Sequence, residues 1–327
     1  METTLPFEKN KREILVRKDS ETSDKFGVYP GKRTVEQLLN LGVINIDKPA
    51  GPTSHQVSAY LQKILGVKKG GHSGTLDPNV TGVLPVAVSK ATKVIQTLLN
   101  AGKEYVCLMH LHREVPEYEL YQAFEKFTGK IKQLPPIKSS VKRQLRERRI
   151  YYIEVLGLEK QDVLFRVGCQ AGTYIRKLVH DMGQELKCGA HMAELRRTRA
   201  GPFSEEGLFT LQDVADAWYY YKKHHNEKFI RKVIRPVEEA VRHLPKVWVM
   251  DTTVDSLCHG ASLAVPGIAK LESGISQGEM VAVFTLKDEL VCYGKAIFTS
   301  KEMMGEKGMA VEAGKVIMEP GTYPRIK

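Results

Sequence analysis

The densest run of chemically useful residues is Gly70-Gly71-His72-Ser73-Gly74-Thr75-Leu76-Asp77-Pro78-Asn79-Val80-Thr81-Gly82. Three glycines ahead of the acid let the backbone take positive φ and come close to a ligand. Pro78 fixes the chain after Asp77 and biases Asp77 to an extended conformation. The result is a carboxylate on a stiff loop, a candidate catalytic group. Asp-Pro and Thr-Gly are also ordinary turn formers, so the segment alone is compatible with a plain turn. No Gly-Lys-Ser/Thr closes it and GxGxxG is missing, so it is not a nucleotide-phosphate loop. A catalytic carboxylate in a pocket needs a positive partner to stay ionised. Arg176, at a predicted helix start in Gly172-Thr173-Tyr174-Ile175-Arg176, offers a planar guanidinium for that purpose. Its bland reading is a solvated arginine. Tyr105, in Lys103-Glu104-Tyr105, could stack on a base, worth roughly 1–3 kcal/mol, or could simply face the core.

Charge points to a polyanionic partner. The 327 residues carry 49 Lys and Arg against 38 Asp and Glu, a net of +11. Residues 1–246 hold 41 basic and 28 acidic groups, whereas the remainder holds 8 and 10. The excess is concentrated in Lys138, Lys142, Arg143, Arg146, Arg148 and Arg149, with a second cluster at Arg196, Arg197 and Arg199. Both are candidates to neutralise nucleic-acid phosphates. Five dispersed cysteines argue against a disulfide framework and for a reducing interior. Neither CxxC nor HExxH occurs, and His110-x-His112 and Cys188-x-x-His191 lack further ligands nearby, so no metal site is expected. No apolar run reaches the ~18 residues a membrane span needs, and nothing near the start reads as a secretory signal.

These residues need elements to position them. Gly42 to Asp47 reads as a strand, and Lys48-Pro49-Ala50-Gly51-Pro52 as a turn. Thr53 and Gln56 have capping-box spacing, opening a helix with Val57, Tyr60, Leu61 and Ile64 on one face and Gly66 as its stop. Residues 70–85 read as a glycine-rich loop. Helices are expected around Val94–Leu99, Pro116–Phe127, Tyr174–Leu186, Thr210–Tyr221 and Glu227–His243. Strands are expected at Lys103–His112, Tyr151–Leu158, Val163–Cys169 and His191–Thr198. Pro245 ends this body. Three short strands after it, at Val247–Met250, Met280–Leu286 and Leu290–Phe298, suggest a mainly β module near the lower size limit for its own core. The expected class is α+β: a mixed-sheet body with flanking helices at 35–245, a β module at 246–327, and an extension at 1–34 either mobile or wrapped on the rest.

Gly71 to Pro78, with Thr81-Gly82 and Val83-Leu84-Pro85, closely resembles the aspartate motif of the RNA pseudouridine synthases that act on the tRNA T-loop. Four further segments agree in order: Asp47-Lys48-Pro49 with Gly51 and Thr53-Ser54, Lys103-Glu104-Tyr105, Tyr174-Ile175-Arg176, and Leu195-Arg196-Arg197-Thr198. The chain is most similar to the guide-RNA (H/ACA, dyskerin-like) branch of that family. That resemblance rests on the N-terminal extension and on Leu134-Pro135-Pro136 leading into Ser139-Ser140-Val141-Lys142-Arg143. It also rests on a C-terminal part resembling a PUA domain, through Leu257 to Ala261, Val265-Pro266-Gly267-Ile268 and Gly278-Glu279. The tail of the eukaryotic members is missing, so the sequence looks archaeal, and the expected location is the cytoplasm. The stretch between Tyr105 and Phe127 is too short for the insert with which bacterial relatives clamp tRNA.

The resemblance implies uridine-to-pseudouridine isomerisation on a base flipped out of its helix. It casts Asp77 as the nucleophile, Arg176 as its partner, and Tyr105 as a stacking group that assists proton removal at C5. Leu195 and Tyr174 would wall the pocket, His72 would hold the flipped nucleotide, and Lys48 and Pro49 would buttress the loop. His259, Gly260, Pro266 and Gly267 would be RNA contacts of the PUA-like part. No cofactor or metal is implied. The implied partners are a guide RNA, its substrate RNA in rRNA or tRNA, small accessory proteins and a kink-turn-binding ribosomal-type protein, with neither DNA nor membrane. A stand-alone tRNA enzyme and a non-catalytic RNA scaffold remain as alternatives. Replacing Lys142 and Arg143 together by Ala should weaken RNA binding and flatten its salt dependence, the slope falling by about 0.9 per lost phosphate contact. An unchanged slope in a filter-binding titration would remove the pair from the interface.

Overall fold

The computed structural model describes residues 3–135 and 144–325, so Lys138, Lys142 and Arg143 lie outside the described residues. From the N-terminus run β1 (Ile14–Val16), α1 (Val35–Asn40), β2 (Gly42–Lys48), α2 (Ser54–Leu65), β3 (Gly70–His72), β4 (Thr81–Val88), α3 (Ile95–Asn100), β5 (Lys103–Leu111), α4 (Glu117–Phe127), β6 (Gly129–Gln133), β7 (Arg146–Glu159) and β8 (Asp162–Cys169). There follow α5 (Ile175–Glu185), β9 (Ala190–Ala200), β10 (Phe203–Ser204), α6 (Leu211–His224), α7 (Glu227–Val233) and β11 (Arg235–Pro236). The C-terminal part holds β12 (Lys246–Val249), α8 (Asp251–Cys258), β13 (Leu263–Ala264), β14 (Ile268–Glu272), β15 (Met280–Thr285), β16 (Leu290–Ala296), α9 (Ser300–Met303) and β17 (Met309–Val316).

The body is a ten-stranded sheet in the order β11-β2-β4-β9-β5-β8-β7-β6, with β10 on β9 and β3 on β4. Its strands pair antiparallel except where β4 meets β9, parallel through Thr81–Arg196 and Gly82–Arg197. That junction joins the two halves of the sheet and lies beside the Asp77 loop. Local rules explain the elements around it. Thr53 and Gln56 form the expected capping box on α2, Val57, Leu61 and Leu65 are buried, and Gly66 closes the helix in the left-handed region. Tyr60 is exposed instead of packing inward. Gly82 has φ +101°, and a Cβ there would sit 2.2 Å from the Arg197 carbonyl oxygen, so only glycine lets β4 and β9 approach.

Three expectations need correction. The stretch 70–85 is not all loop: β3 and most of β4 occupy it, because Val83, Leu84 and Val86 are buried on both faces and read as a continuous apolar strand. The helix predicted over Glu227–His243 stops at Val233, since Pro236 breaks it, and β11 pairs there with β2. The C-terminal module is larger than three strands. It forms a seven-stranded sheet, β1-β14-β12-β15-β16-β17-β13, whose edge strand comes from the N-terminal extension.

The extension is therefore part of the module. Lys287 Nζ donates to the Ser23 carbonyl at 2.9 Å, Asp251 accepts from the Ser23 amide at 2.9 Å, and Arg12 pairs with Glu279 at 2.8 Å. Nearer its start, Leu5 is fully buried and Glu8 pairs with Arg199 of β9. A shared apolar cluster joins module to body: Trp248, Phe284, Leu290 and Tyr293 pack with Val83, Val94, Leu98 and Val241. Such continuity holds the two sheets as one unit. Gly82→Ala should destabilise the chain by about 2–4 kcal/mol, from strained φ and a backbone clash with no flexible atom to yield. A thermal or urea melt checks this, and a wild-type midpoint would show that the junction can relax.

Candidate active site

The Asp77 loop spans the gap between β3 and β4 and is tied down from three sides. Ser54, first residue of α2, is fully buried, and its Oγ accepts from the Leu76 amide at 2.9 Å. The Pro78 carbonyl accepts from the Gly51 amide at 3.0 Å, and Leu76 and Val80 are buried as anchors. Lys48, at the end of β2, is wholly buried, and its ammonium donates to the carbonyls of Pro49, Pro78 and Val80 at 2.8–2.9 Å. Burial holds its pKa below the usual lysine range, with Arg197 adding to the lowering and Asp77 opposing it. Lys48 therefore buttresses the loop from beneath.

Against this fixed loop, the start of α5 delivers Arg176. Its guanidinium donates to an Asp77 carboxylate oxygen, joining positions 99 residues apart. Both side chains are about half exposed, at 58% and 54%, so the pair faces an opening. The α5 start is itself fixed. Buried Gln133 of β6 accepts from the Tyr174 amide at 3.0 Å and donates to the Tyr174 carbonyl at 3.1 Å. Tyr105 on β5 lies below, only 9% exposed, directly across the β5–β9 pairing from Arg197. Burial raises the phenol's pKa, while Arg197 works against that rise. Leu195 on β9 is partly buried beside the same core. His72 stands on β3 with its ring 4.7 Å from that of His55, and burial foremost, then His55, brings its pKa down to about 4. Its imidazole is neutral at physiological pH, a hydrogen-bonding group without charge.

Several predicted RNA contacts are placed elsewhere. Arg197 is 1% exposed: its Nε donates to the Val83 carbonyl at 2.7 Å and a terminal nitrogen to Gly74 at 3.3 Å. It cannot meet a phosphate on the surface. Arg196, its side chain 36% exposed, is held by both Asp47 oxygens, at 3.0 and 3.2 Å, and by Glu205 at 2.6 Å, so carboxylates already offset its charge. Along β9 Arg197 faces the interior and Arg196 the opposite, partly exposed face, an alternation that a basic-cluster count does not see. Arg146, Arg148 and Arg149 lie on β7, where Arg149 is exposed and Arg148 donates to the Gly172 carbonyl at 3.1 Å. In the C-terminal module His259, Gly260 and Pro266 are exposed, whereas Gly267 is buried. A Cβ on Gly267 would lie 2.7 Å from Thr253, so it is a packing glycine beneath α8 and not a contact. Sequence reasoning passed over Gln133 altogether, for a lone glutamine near a strand carries no signal. It quoted Ser54 without a role, although a serine at the first helical turn can reach a neighbouring loop.

A rigid loop carboxylate, a guanidinium facing it at an opening, and a tyrosine beneath, on a mixed sheet carrying a second β module, are the arrangement that the resemblance to the pseudouridine synthase class implies. Four family models match along the chain. They are the DKCLD (NUC011) domain over residues 2–58, the TruB family pseudouridylate synthase N-terminal domain over 62–175, the tRNA pseudouridylate synthase B C-terminal domain over 176–242, and the PUA domain over 245–317. Probable tRNA pseudouridine synthase B of Methanopyrus kandleri is 55% identical over 98% of this chain and 95% of its own length. That of Pyrococcus furiosus is 56% identical, covering 97% and 94%. Among solved structures, a chain of a Cbf5-Nop10-Gar1 complex superposes with TM-score 0.94 at 56% identity, covering 99% of both chains. A chain of an H/ACA RNP bound to a substrate RNA containing 2'-deoxyuridine gives 0.92 at 54%, covering 98% and 99%. The chain belongs to the TruB family of pseudouridine synthases, with DKCLD and PUA domains attached. Among the described residues, no helix is long and apolar enough to cross a membrane.

Lys48→Met should leave the Pro49 carbonyl and two carbonyls of the Asp77 loop without their donor and loosen Asp77 while leaving the RNA-facing surface intact. Turnover should fall by about 10²-fold with KM changed little, and the Gly51 and Val80 amides should exchange faster. Unchanged turnover with unchanged exchange would show that the loop holds itself.

Proposed function

We propose that this chain is the catalytic subunit of an H/ACA-type ribonucleoprotein, converting guide-selected uridines in rRNA to pseudouridine in the cytoplasm. The observation that carries the reading is the Asp77–Arg176 pair, brought together from distant segments and left open to solvent. Asp77 is the nucleophilic carboxylate that separates base from sugar, forming and later losing a bond to the substrate. Arg176 keeps it ionised and oriented. Tyr105, Tyr174 and Leu195 bound the space for one flipped base and keep a detached uracil from escaping. His72 holds the nucleotide through neutral hydrogen bonds. Lys48 and Pro49 position the loop. Arg146, Arg148 and Arg149 supply phosphate contacts on β7, Lys138, Lys142 and Arg143 are the basic residues of the same run, and His259, Gly260 and Pro266 contact RNA on the PUA module. The division into 1–34, 35–245 and 246–327 serves this work, the extension completing the module and the module gripping guide RNA.

Relatives of this chain crystallise with Nop10, Gar1 and H/ACA RNA. On that support we assign it small accessory proteins and a guide RNA as partners; a kink-turn-binding ribosomal-type protein is added on the sequence resemblance alone. The names of the curated relatives favour a second activity, guide-independent modification of tRNA. Asp77→Asn, assembled with guide and partners, should bind RNA normally yet form pseudouridine on the order of 10³-fold more slowly or worse. Near-normal product in a base-specific chemical assay would remove Asp77 from its role. The wild-type chain on transcript tRNA, with and without guide, separates the two activities.

A further inference from the structure

Arg197 is buried at the centre of the site, and phosphate binding does not account for it. It is the direct cross-strand neighbour of Tyr105, on β9 against β5. Its Nε donates to Val83 of β4 and one terminal nitrogen to Gly74 of the Asp77 loop, which fixes the guanidinium on the strand position paired with Tyr105. Among the described residues it makes no ion pair with a carboxylate. Burying a guanidinium without a counter-ion is costly, and packing alone would be served by an apolar side chain. The positive charge is therefore retained where it has one ionisable oxygen to act on, that of Tyr105.

The geometry points to Arg197 as a positioning residue for Tyr105, one that fixes the phenol oxygen and stabilises the phenolate that takes the proton from C5 of the target base. This rests on the pseudouridine synthase reading and deepens it. Once C5 has bonded to C1′, it carries both that bond and its hydrogen. The C5–H bond then breaks, its electron pair restores the C5=C6 double bond, and the proton passes to the Tyr105 oxygen and on to solvent. The N1 nitrogen, freed from the sugar, takes up a proton from water, so the isomerisation is neutral overall. Burial opposes phenolate formation, and the guanidinium offsets that opposition. Asp77 on the catalytic loop, His72 on β3, Lys48 on β2, Lys103 on β5 and Cys169 on β8 also face Tyr105 or Arg197.

The test uses the full chain assembled with guide RNA and partner proteins in single turnover, with uridine or 5-deuterouridine at the target of the substrate RNA. Arg197→Lys and Arg197→Gln should slow product formation by about 10²-fold, within the span of general-base catalysis. They should increase the isotope effect on C5–H cleavage and move the rising limb of the pH–rate profile to higher pH. The salt slope of RNA binding should stay unchanged. In a Tyr105→Phe background, Arg197→Lys should add no further loss. Should Arg197→Gln fail to fold, 3-fluorotyrosine at position 105, whose phenol ionises more readily, should restore rate to Arg197→Lys. Slow turnover with no larger isotope effect, an equal loss in the Tyr105→Phe background, or a salt slope lower by about 1 would each overturn the proposal. Asp77→Asn is read in the same assay, so an inactive Asp77→Asn beside a failed Arg197 result leaves the enzyme assignment standing.

Discussion

Buried cations bonded to backbone carbonyls hold this site together. The Lys48 ammonium draws in three carbonyls of the Asp77 loop and its approach. The Lys103 amine does the same at the end of α3, with Leu98, Leu99 and Ala101, although burial brings its pKa down to about 7. Arg197 bridges β4 to the glycines before Asp77. A carboxylate partner would bind each cation more strongly but would also cancel its field. Carbonyl dipoles satisfy the donors and leave much of the positive potential in place. The floor beneath Asp77 is thus both stiff and electropositive, suited to a group that must remain an anion while close to an RNA strand.

This constraint shapes the surrounding fold. The parallel meeting of β4 and β9 puts Arg197 under the loop, and Gly82 permits that meeting. The Lys48 cage requires β2 to end where the loop begins, and α2 to start with a serine that reaches back to Leu76. The opposite wall depends on one buried glutamine that locks the backbone of Tyr174 and so aims Arg176. Each support lies behind the residues proposed to touch substrate. Loss of a support would therefore act through geometry and not through lost contact.

The C-terminal module extends the same body. Trp248, Phe284 and Tyr293 continue the apolar core of the catalytic sheet, and the extension closes the module's edge before anchoring Glu8 on β9. An RNA held on the module is thereby held at a fixed distance from Asp77. This arrangement is mechanically suited to a target chosen by base pairing elsewhere in a complex.

The residues alone determined the local pieces. Capping boxes, helix stops and apolar periodicity placed α2, α4, α5 and most strands, because those signals act over a few neighbours. The glycine-and-proline setting of Asp77, with its ordered companion motifs, was enough to indicate the enzyme family. Helix and strand boundaries slipped where a distant contact ruled, as at Pro236 and in the apolar run of β4. The tertiary structure decided which charges face RNA and which face inward. Arg197 and Gly267 look in sequence like surface contacts, yet the pairing of β4 with β9 and the packing of α8 turn them into internal supports. Burial is a property of all the elements that cover a residue, and no window along the chain contains them.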